Sequence, residues 1–261
     1  MEKKIEKIDI HITDHCNLNC RSCTHFSPLS EEFYLDIDDF EKDIKRLSEL
    51  TKGAVGQIFL LGGEPLLHKE LIDFFPVARH YFKDSELIII TNGILLNSQE
   101  DRFWKALRRY NIKIWTSRYG LNIDYSSIDK KAKDFGVFLG YTSMNFDKEN
   151  KKIWTKFPLD LKGSQYWAEA FHHCAVKNCV TLKKGKLYTC PTTAHIEHFN
   201  KYFKTNLELS PYDYIDIFKI STFDEILSFL YKPTPFCRFC KTQNLENGYW
   251  APSKKDINEW V

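Results

Sequence analysis

Several features typical of membrane, secreted or nucleic-acid-binding proteins are missing from this 261-residue sequence. Its apolar runs stay well short of the roughly 20 residues that span a bilayer. The first residues, MEKKIEKIDIHI, contain no apolar stretch long enough for a secretory signal. Lys and Arg total 37 against 35 Asp and Glu, so the basic surplus of a dedicated nucleic-acid binder is absent too. We therefore expect a cytoplasmic protein that binds neither membrane nor nucleic acid.

Internal repeats, low-complexity segments, a nucleophile triad and a phosphate-binding loop are also lacking. Intrinsic disorder is excluded, because 15% of the residues are aromatic and the net charge is only +2. The composition is that of an ordinary folded protein of one or two domains. The chemistry must therefore be sought in individual motifs, and the cysteines are the most informative of these.

Short apolar runs alternate with helical patterns through the first half of the chain, which predicts βαβ units and a parallel sheet. We predict strands over residues 5–12, 57–61, 87–90, 112–116 and 137–141. The helices predicted between them cover residues 36–50, 69–82, 98–110 and 125–135, and Pro76 should kink the second helix or limit its start.

The last third has a different character. Residues 180–189 read as a β-hairpin, and residues 222–231 as a helix with a capping box formed by Thr222 and Glu225. Residues 144–164 look irregular. We place a domain boundary near residue 165, giving domains 1–165 and 166–261. We interpret Tyr166, Trp167 and Trp250 as core residues rather than as platforms for a substrate.

The eight cysteines fall into two groups that are far apart in the chain. In a reducing compartment a disulfide framework is unfavourable, so metal ligation is the better explanation. The first group is Cys16, Cys20 and Cys23. The second group is Cys174, Cys179, Cys190, Cys237 and Cys240. Two separate soft-metal sites would produce this distribution.

Three thiolates within the eight residues Cys16–Cys23 can bind three corners of an iron–sulfur cluster. A four-iron cluster needs four ligands, so one iron would remain open for an exchangeable molecule. The alternative is a zinc site completed by His15 or His25.

Four distinctive segments each follow a predicted parallel strand directly. They are the cysteine loop, Gly62-Gly63-Glu64-Pro65, Thr91-Asn92-Gly93 and Thr116-Ser117-Arg118. Ligands bind at the carboxyl ends of such strands, which favours one site built from these segments over a free-standing zinc knuckle. Glycines allow close approach of a ligand, Glu64 could pair with an ammonium group, and Ser117 and Arg118 could bind ribose or carboxylate oxygens.

With its C-x3-C-x2-C loop followed by GGEP and TNG, the chain resembles the radical S-adenosylmethionine (radical SAM) superfamily over about residues 5–145. The resemblance implies a partial (β/α)6 TIM-like barrel and a 4Fe–4S cluster on Cys16, Cys20 and Cys23. It implies that the open iron chelates S-adenosylmethionine (SAM). The SAM contacts that it implies are Gly62, Gly63, Glu64, Pro65, Asn92, Ser117 and Arg118. Where the family usually has an aromatic residue near the adenine this chain has Ser22, and Phe26 is our candidate for that packing.

The second cysteine group resembles the twitch subdomain, a shortened SPASM domain that holds one auxiliary 4Fe–4S cluster. The resemblance implies Cys190, Cys237 and Cys240 as ligands. Its spacing selects Cys174 as the fourth ligand, whereas the hairpin favours Cys179, and we choose Cys174. Zinc bound as in a zinc ribbon is the alternative.

The resemblance also implies the chemistry. A reduced cluster cleaves SAM to a 5′-deoxyadenosyl radical, this radical takes hydrogen from a small substrate, and the auxiliary cluster accepts an electron. Short twitch enzymes include aminocyclitol dehydrogenases, so we expect oxidation of a sugar or cyclitol alcohol. The expected electron donor is a flavodoxin or ferredoxin, and no protein side chain is assigned a catalytic role. Peptide modification, epimerisation and a non-catalytic zinc protein are the alternatives.

Overall fold

The computed structural model describes residues 3–142, 146–149 and 151–261. The chain divides into two compact units. Unit 1 comprises Met1–Thr13 and Tyr34–Lys152, and unit 2 comprises Asp14–Phe33 and Ile153–Val261. The domain boundary that we place between residues 165 and 166 stays a prediction. In the described part of the chain, no helix is both long enough and apolar enough to cross a membrane.

Unit 1 is built on five parallel strands. Their bounds are β1 Ile5–Thr13, β2 Val55–Gly62, β3 Glu86–Thr91, β4 Ile112–Thr116 and β5 Leu139–Tyr141. They lie side by side in the order β5-β4-β3-β2-β1. All five predicted strands are therefore confirmed, as is the α/β class with its parallel sheet. The strands are rich in buried isoleucine and leucine, as expected when both faces of a parallel sheet are covered.

Four helices connect these strands: α1 Ile37–Thr51, α2 Phe74–Tyr81, α3 Asp101–Arg109 and α4 Tyr125–Asp134. Helix α1 starts where the Asp36 carboxylate accepts hydrogen bonds from two backbone N–H groups of the first turn. Helix α2 begins five residues later than predicted, after a 3-10 turn over Leu71–Asp73, so that Pro76 lies in its first turn, where proline is tolerated. A second 3-10 turn, Pro65–Leu67, follows β2.

Unit 2 contains a small antiparallel sheet and a two-stranded ribbon. Its strands are β6 Ile153–Thr155, β7 Thr181–Lys183, β8 Lys186–Tyr188, β9 Tyr214–Asp216 and β10 Asn247–Tyr249. The sheet has the order β7-β8-β9, and the ribbon pairs β6 with β10. The helices of unit 2 are α5 Trp167–His173, α6 Pro191–Phe203 and α7 Phe223–Phe229, with 3-10 turns over Ser27–Leu29, Pro235–Phe239 and Ile257–Glu259. The predicted hairpin, β7–β8, and the predicted capping box between Thr222 and Glu225 on α7 are both confirmed.

Two aromatic residues of unit 2 are more exposed than we predicted. Tyr166 is 67% exposed and Trp167 is 43% exposed, so their interpretation as core residues is wrong. They stand where α5 begins, and this short helix buries Ala170 instead. The predicted irregular stretch 144–164 contains β6, while residues 144, 145 and 150 lie outside the described residues.

Candidate functional site

In unit 1 the turn that follows β2 is fastened to the end of β1. Gly62 has φ +154°, and a Cβ atom there would lie 2.0 Å from the backbone oxygen of Thr13. The N–H of Gly63 donates to that same oxygen at 2.9 Å, and the Thr13 hydroxyl donates to the carbonyl of Glu64 at 2.9 Å. The chain can make this turn only with glycine at position 62, because both the dihedral angle and the available space exclude a side chain.

The carboxylate of Glu64 joins this turn to the end of β3. Its Oε1 accepts hydrogen bonds from the N–H of Leu66 at 3.1 Å and from the hydroxyl of Thr91 at 2.7 Å, and its Oε2 accepts one from the N–H of Asn92 at 2.9 Å. The side chain is 0% exposed. Burial raises the pKa of Glu64 from 4.5 to about 7, although the three donors oppose this shift. The Glu64 carboxylate therefore connects the turn after β2 to the end of β3.

The segment after β3 is shaped by its own side chains. The Asn92 side-chain oxygen accepts from the N–H of Ile94 at 3.0 Å, and the Thr91 hydroxyl oxygen accepts from the N–H of Gly93 at 3.1 Å. The N–H of Ser117, just after β4, donates to the carbonyl of Thr91 at 2.9 Å. The three predicted segments after β2, β3 and β4 are therefore contiguous within unit 1.

Arg118 lies between two tyrosine rings. Its guanidinium carbon is 3.9 Å from the centroid of Tyr141 and 4.5 Å from that of Tyr125. The Tyr141 hydroxyl donates to Asp129 at 2.6 Å, which fixes that ring. Both the Nε of Arg118 and the hydroxyl of Tyr125 are buried without a hydrogen-bond partner. A cation held in this way, with donor capacity to spare, suits an anionic oxygen of a ligand.

In unit 2 the sulfurs of the first cysteine group lie among hydrogen-bond donors. The N–H of Leu18 donates to the Sγ of Cys16 at 3.4 Å, and the indole N–H of Trp250 donates to the Sγ of Cys20 at 3.0 Å. Burial raises the pKa of the Cys23 thiol, while the N–H groups of residues 25–27 lower it. Donors of this kind stabilise thiolates, the form in which cysteine binds metals.

The C-terminal residues of the chain fasten this loop; we call residues 250–260 the C-terminal strap. Two backbone hydrogen bonds connect them, from the N–H of Arg21 to Ala251 at 3.0 Å and from the N–H of Ser253 to Asn19 at 2.7 Å. Two more involve side chains: the Ser22 hydroxyl donates to the carbonyl of Glu259 at 2.6 Å, and the Trp260 indole donates to the carbonyl of Cys23 at 2.9 Å. Sequence reasoning missed this strap entirely.

Phe26 belongs to the core of unit 2. It is 1% exposed, and its ring centroid lies 5.6 Å from that of Phe199 and 6.3 Å from that of Trp260. In this conformation the ring offers almost no surface to a ligand. Its packing against adenine stays a prediction, and one that would require the ring to move.

Four cysteines of the second group line one cavity of unit 2, together with Phe171, Thr193 and Phe236. These are Cys174, Cys190, Cys237 and Cys240. Cys179, which the structure also describes, is not among the lining residues. Burial raises the pKa of all four thiols, that of Cys190 to about 12, and the neighbouring sulfurs raise the pKa values of Cys174, Cys190 and Cys240 further. Since a cysteine binds a metal as its thiolate, metal binding by these four residues would release their protons.

A network of ionisable side chains connects the cysteine loop to β7 and α6. Asp14 accepts from the Nε2 of His198 at 3.1 Å and lies 3.6 Å from the ammonium of Lys183. Lys183 is also 3.0 Å from the Nδ1 of His195 and 3.0 Å from the carboxylate of Glu197. Since an ammonium group can only donate, Nδ1 of His195 is the acceptor in that contact. His195 and His198 both have polar partners in this network.

These observations can be compared with known proteins. A model of the Radical SAM superfamily matches residues 10–141, just over half of the chain. The chain therefore belongs to the radical SAM superfamily. The family implies a 4Fe–4S cluster and SAM, so the coarser part of the cofactor prediction is confirmed.

Two curated relatives are GTP 3′,8-cyclases. That of Aliarcobacter butzleri (strain RM4018) is 32% identical over 118 residues, which are 44% of this chain and 36% of that protein. That of Campylobacter jejuni subsp. doylei (strain ATCC BAA-1458 / RM4099 / 269.97) is 32% identical over 133 residues, which are 51% of this chain and 38% of that protein. The matched region thus spans little more than a third of the length of these relatives.

One solved structure is similar over almost its whole length. The crystal structure of BtrN in complex with AdoMet and 2-DOIA has a TM-score of 0.55 and 17% sequence identity, and the likeness covers 93% of this chain and 95% of that chain. At this identity the similarity shows a shared fold and nothing more.

Proposed function

We propose that the chain is a radical SAM oxidoreductase with two 4Fe–4S clusters that oxidises a small hydroxylated molecule. The first cluster is assigned to Cys16, Cys20 and Cys23, and the auxiliary cluster of a twitch subdomain to Cys174, Cys190, Cys237 and Cys240. The observation that carries the proposal is that four cysteines spread over 67 positions of sequence line a single cavity. A single buried cysteine can be a core residue, but four thiols around one cavity favour a metal group.

The sulfur positions favour a cluster over a single zinc ion. In a tetrahedral zinc site with Zn–S bonds of about 2.3 Å, the sulfurs approach one another to about 4 Å. Within the described ranges, the groups of three or more His, Cys, Asp or Glu whose ligand atoms lie within 4.8 Å of one another contain no cysteine. A four-iron cluster binds each thiolate at a different iron and so holds the sulfurs further apart.

The residues of unit 1 suit the recognition of SAM. When bound, SAM and its cluster supply a 5′-deoxyadenosyl radical that can remove hydrogen from an unactivated carbon. The Glu64 carboxylate, bonded to Thr91 and Asn92, holds the turn Gly62–Pro65 beside the end of β3. We assign the backbone of this turn to the methionine amine. Asn92 and Ser117 offer polar side chains for ribose, and Arg118 offers its charged guanidinium, with an unpartnered Nε–H, for the carboxylate.

The full set of four cysteines bears on the role of the auxiliary group. If the protein supplies all four thiolates, no iron is left to bind the substrate directly, and the cluster serves as an electron acceptor. This supports a net oxidation. The single electrons needed to start each turnover would come from a flavodoxin or ferredoxin, which we propose as the partner.

Two substrate classes are candidates. The similarity to BtrN, described with 2-DOIA, runs over almost the whole chain, whereas the similarity to the GTP 3′,8-cyclases covers about half of it. We therefore place a sugar or cyclitol alcohol first and a purine nucleotide second. Peptide modification and epimerisation are alternatives that no observed contact favours.

The test is an anaerobic assay of the purified protein with SAM and dithionite. About eight irons per chain are expected, and about four when Cys16, Cys20 and Cys23 are all replaced by Ala. Formation of 5′-deoxyadenosine is then followed against amino sugars and cyclitols in one set and GTP in another. A colourless, zinc-containing protein, or unchanged iron in the triple variant, would refute the two-cluster proposal.

A further inference from the structure

We propose that Trp250 sets the reduction potential of the cluster on Cys16, Cys20 and Cys23 by donating a hydrogen bond to a ligand sulfur. The inference rests on the proposed function, because it requires that this cluster is present. It assigns Trp250 as a positioning residue that acts through Cys20, and it gives the C-terminal strap a chemical role in addition to its structural one.

The geometry supports a true hydrogen bond to sulfur. The Nε1 of Trp250 lies 3.0 Å from the Sγ of Cys20, across 230 positions of sequence. An indole N–H can only donate, so the sulfur is necessarily the acceptor. Cys20 is 8% exposed, which shields this contact from competition with water.

The backbone on both sides of the contact is fixed. An antiparallel bridge pairs Cys20 with Pro252, and the N–H of Arg21 donates to the carbonyl of Ala251. The backbone contacts of the strap therefore hold the Trp250 indole beside the Cys20 sulfur. A surface side chain that touched the sulfur by chance would not be anchored on both flanks.

The direction of the effect follows from electrostatics. Reduction adds one negative charge to the cluster, and part of that charge resides on the ligand sulfurs. A donor to one of these sulfurs stabilises the reduced state more than the oxidised state and raises the potential. Removing the donor should make the cluster harder to reduce.

Trp260 provides a matched control within the same strap. Its indole also donates a hydrogen bond to the cysteine loop, but the acceptor is the backbone carbonyl of Cys23 rather than a sulfur. Trp250→Phe and Trp260→Phe each remove one indole N–H. Only the first variant removes a donor to a ligand sulfur. An effect that arose merely from loosening the strap would appear in both.

The experiment is an anaerobic redox titration of the holoenzyme followed by EPR. The cluster on Cys16, Cys20 and Cys23 is recognised because SAM alters its signal, and the auxiliary cluster serves as an internal reference. In Trp250→Phe the ratio of reduced to oxidised cluster at a fixed potential should fall several-fold, where a tenfold change corresponds to about 59 mV for one electron. The same ratio should be unchanged in Trp260→Phe, and the titration of the auxiliary cluster should be unchanged in both variants.

An unchanged titration in Trp250→Phe with full iron content would overturn the inference, and so would an equal shift in Trp260→Phe. If Trp250→Phe does not retain its cluster, pulsed EPR on the reduced wild-type protein with ¹⁵N-labelled indole decides. A nitrogen coupling to the cluster supports the hydrogen bond, and its absence refutes it. Lack of iron in the wild-type protein would instead refute the proposed function, so that the two failures are distinguishable.

Discussion

Replacement of Gly62 by Ala tests the geometry of the turn Gly62–Pro65 most directly. The new Cβ would lie 2.0 Å from the backbone oxygen of Thr13, whereas a carbon and an oxygen normally approach to about 3.3 Å. The atom in the way belongs to the backbone, so no side chain can rotate aside. The ends of β1 and β2 would have to separate by about 1 Å.

The expected loss can be added up from the contacts involved. Separation would break the hydrogen bond from Gly63 to Thr13 and that from Thr13 to Glu64, each contributing about 1 kcal/mol. A dihedral angle of +154° that only glycine adopts freely adds about 1–3 kcal/mol of strain. The total is about 3–5 kcal/mol, a large fraction of the stability of a typical domain.

Gly53→Ala is the matched control in the same unit. Gly53 also has a positive φ, +78°, but a Cβ there would meet no atom within 4 Å. Only conformational strain of about 1 kcal/mol is expected. Urea unfolding of the metal-free proteins, followed by circular dichroism, measures both variants. If Gly62→Ala unfolded within about 1 kcal/mol of Gly53→Ala, the close approach of β1 and β2 would not be what makes glycine necessary at position 62.

Three further predictions concern individual ionisable residues. Cys174→Ser should lose about half of the bound iron whereas Cys179→Ser should keep it, and the opposite result in an iron assay would make Cys179 the ligand. In the metal-free protein the pKa of Cys190 is raised from 9.0 to about 12, so the folded state keeps a proton that the unfolded chain releases. Its free energy of unfolding should therefore fall as the pH rises from about 9 to 12, and Cys190→Ser should reduce that slope. The pKa of Glu64 is likewise raised from 4.5 to about 7, so the free energy of unfolding should fall as the pH rises from about 4.5 to 7. Denaturant unfolding measured at several pH values should show a smaller dependence of this free energy on pH for Glu64→Gln.

The elements predicted correctly are those specified by local sequence. The five parallel strands are short apolar runs bounded by polar or glycine-containing segments, and the capping box of α7 lies within four consecutive residues. Each of these signals needs only neighbouring residues. Pro76 also acted locally, because it limited where α2 could begin.

Helix α6 was missed because the face that it buries is partly polar. Thr192, Thr193 and His195 are buried beside Ile196 and Phe199, which hides the apolar periodicity of an ordinary amphipathic helix. Pro191 at its first position was a usable signal, since proline is favoured there.

The contacts of the site itself depend on residues far apart in sequence. Sequence reasoning placed Glu64 where a ligand amine could reach it, but could not show that Thr91 and Asn92 hold its carboxylate. The pairing of Trp250 with Cys20 spans even more of the chain. The sequence around Trp250 contains no local pattern that predicts its contact with Cys20, and the same holds for the sequence around Cys20.

The C-terminal strap has a consequence for biosynthesis. The cysteine loop leaves the ribosome long before its partners at residues 250–260. Until those residues are synthesised, the thiols of the loop lack the donors that later surround them. We expect iron delivery to this loop to follow synthesis of the strap, so that metal binding and closure of the loop occur together.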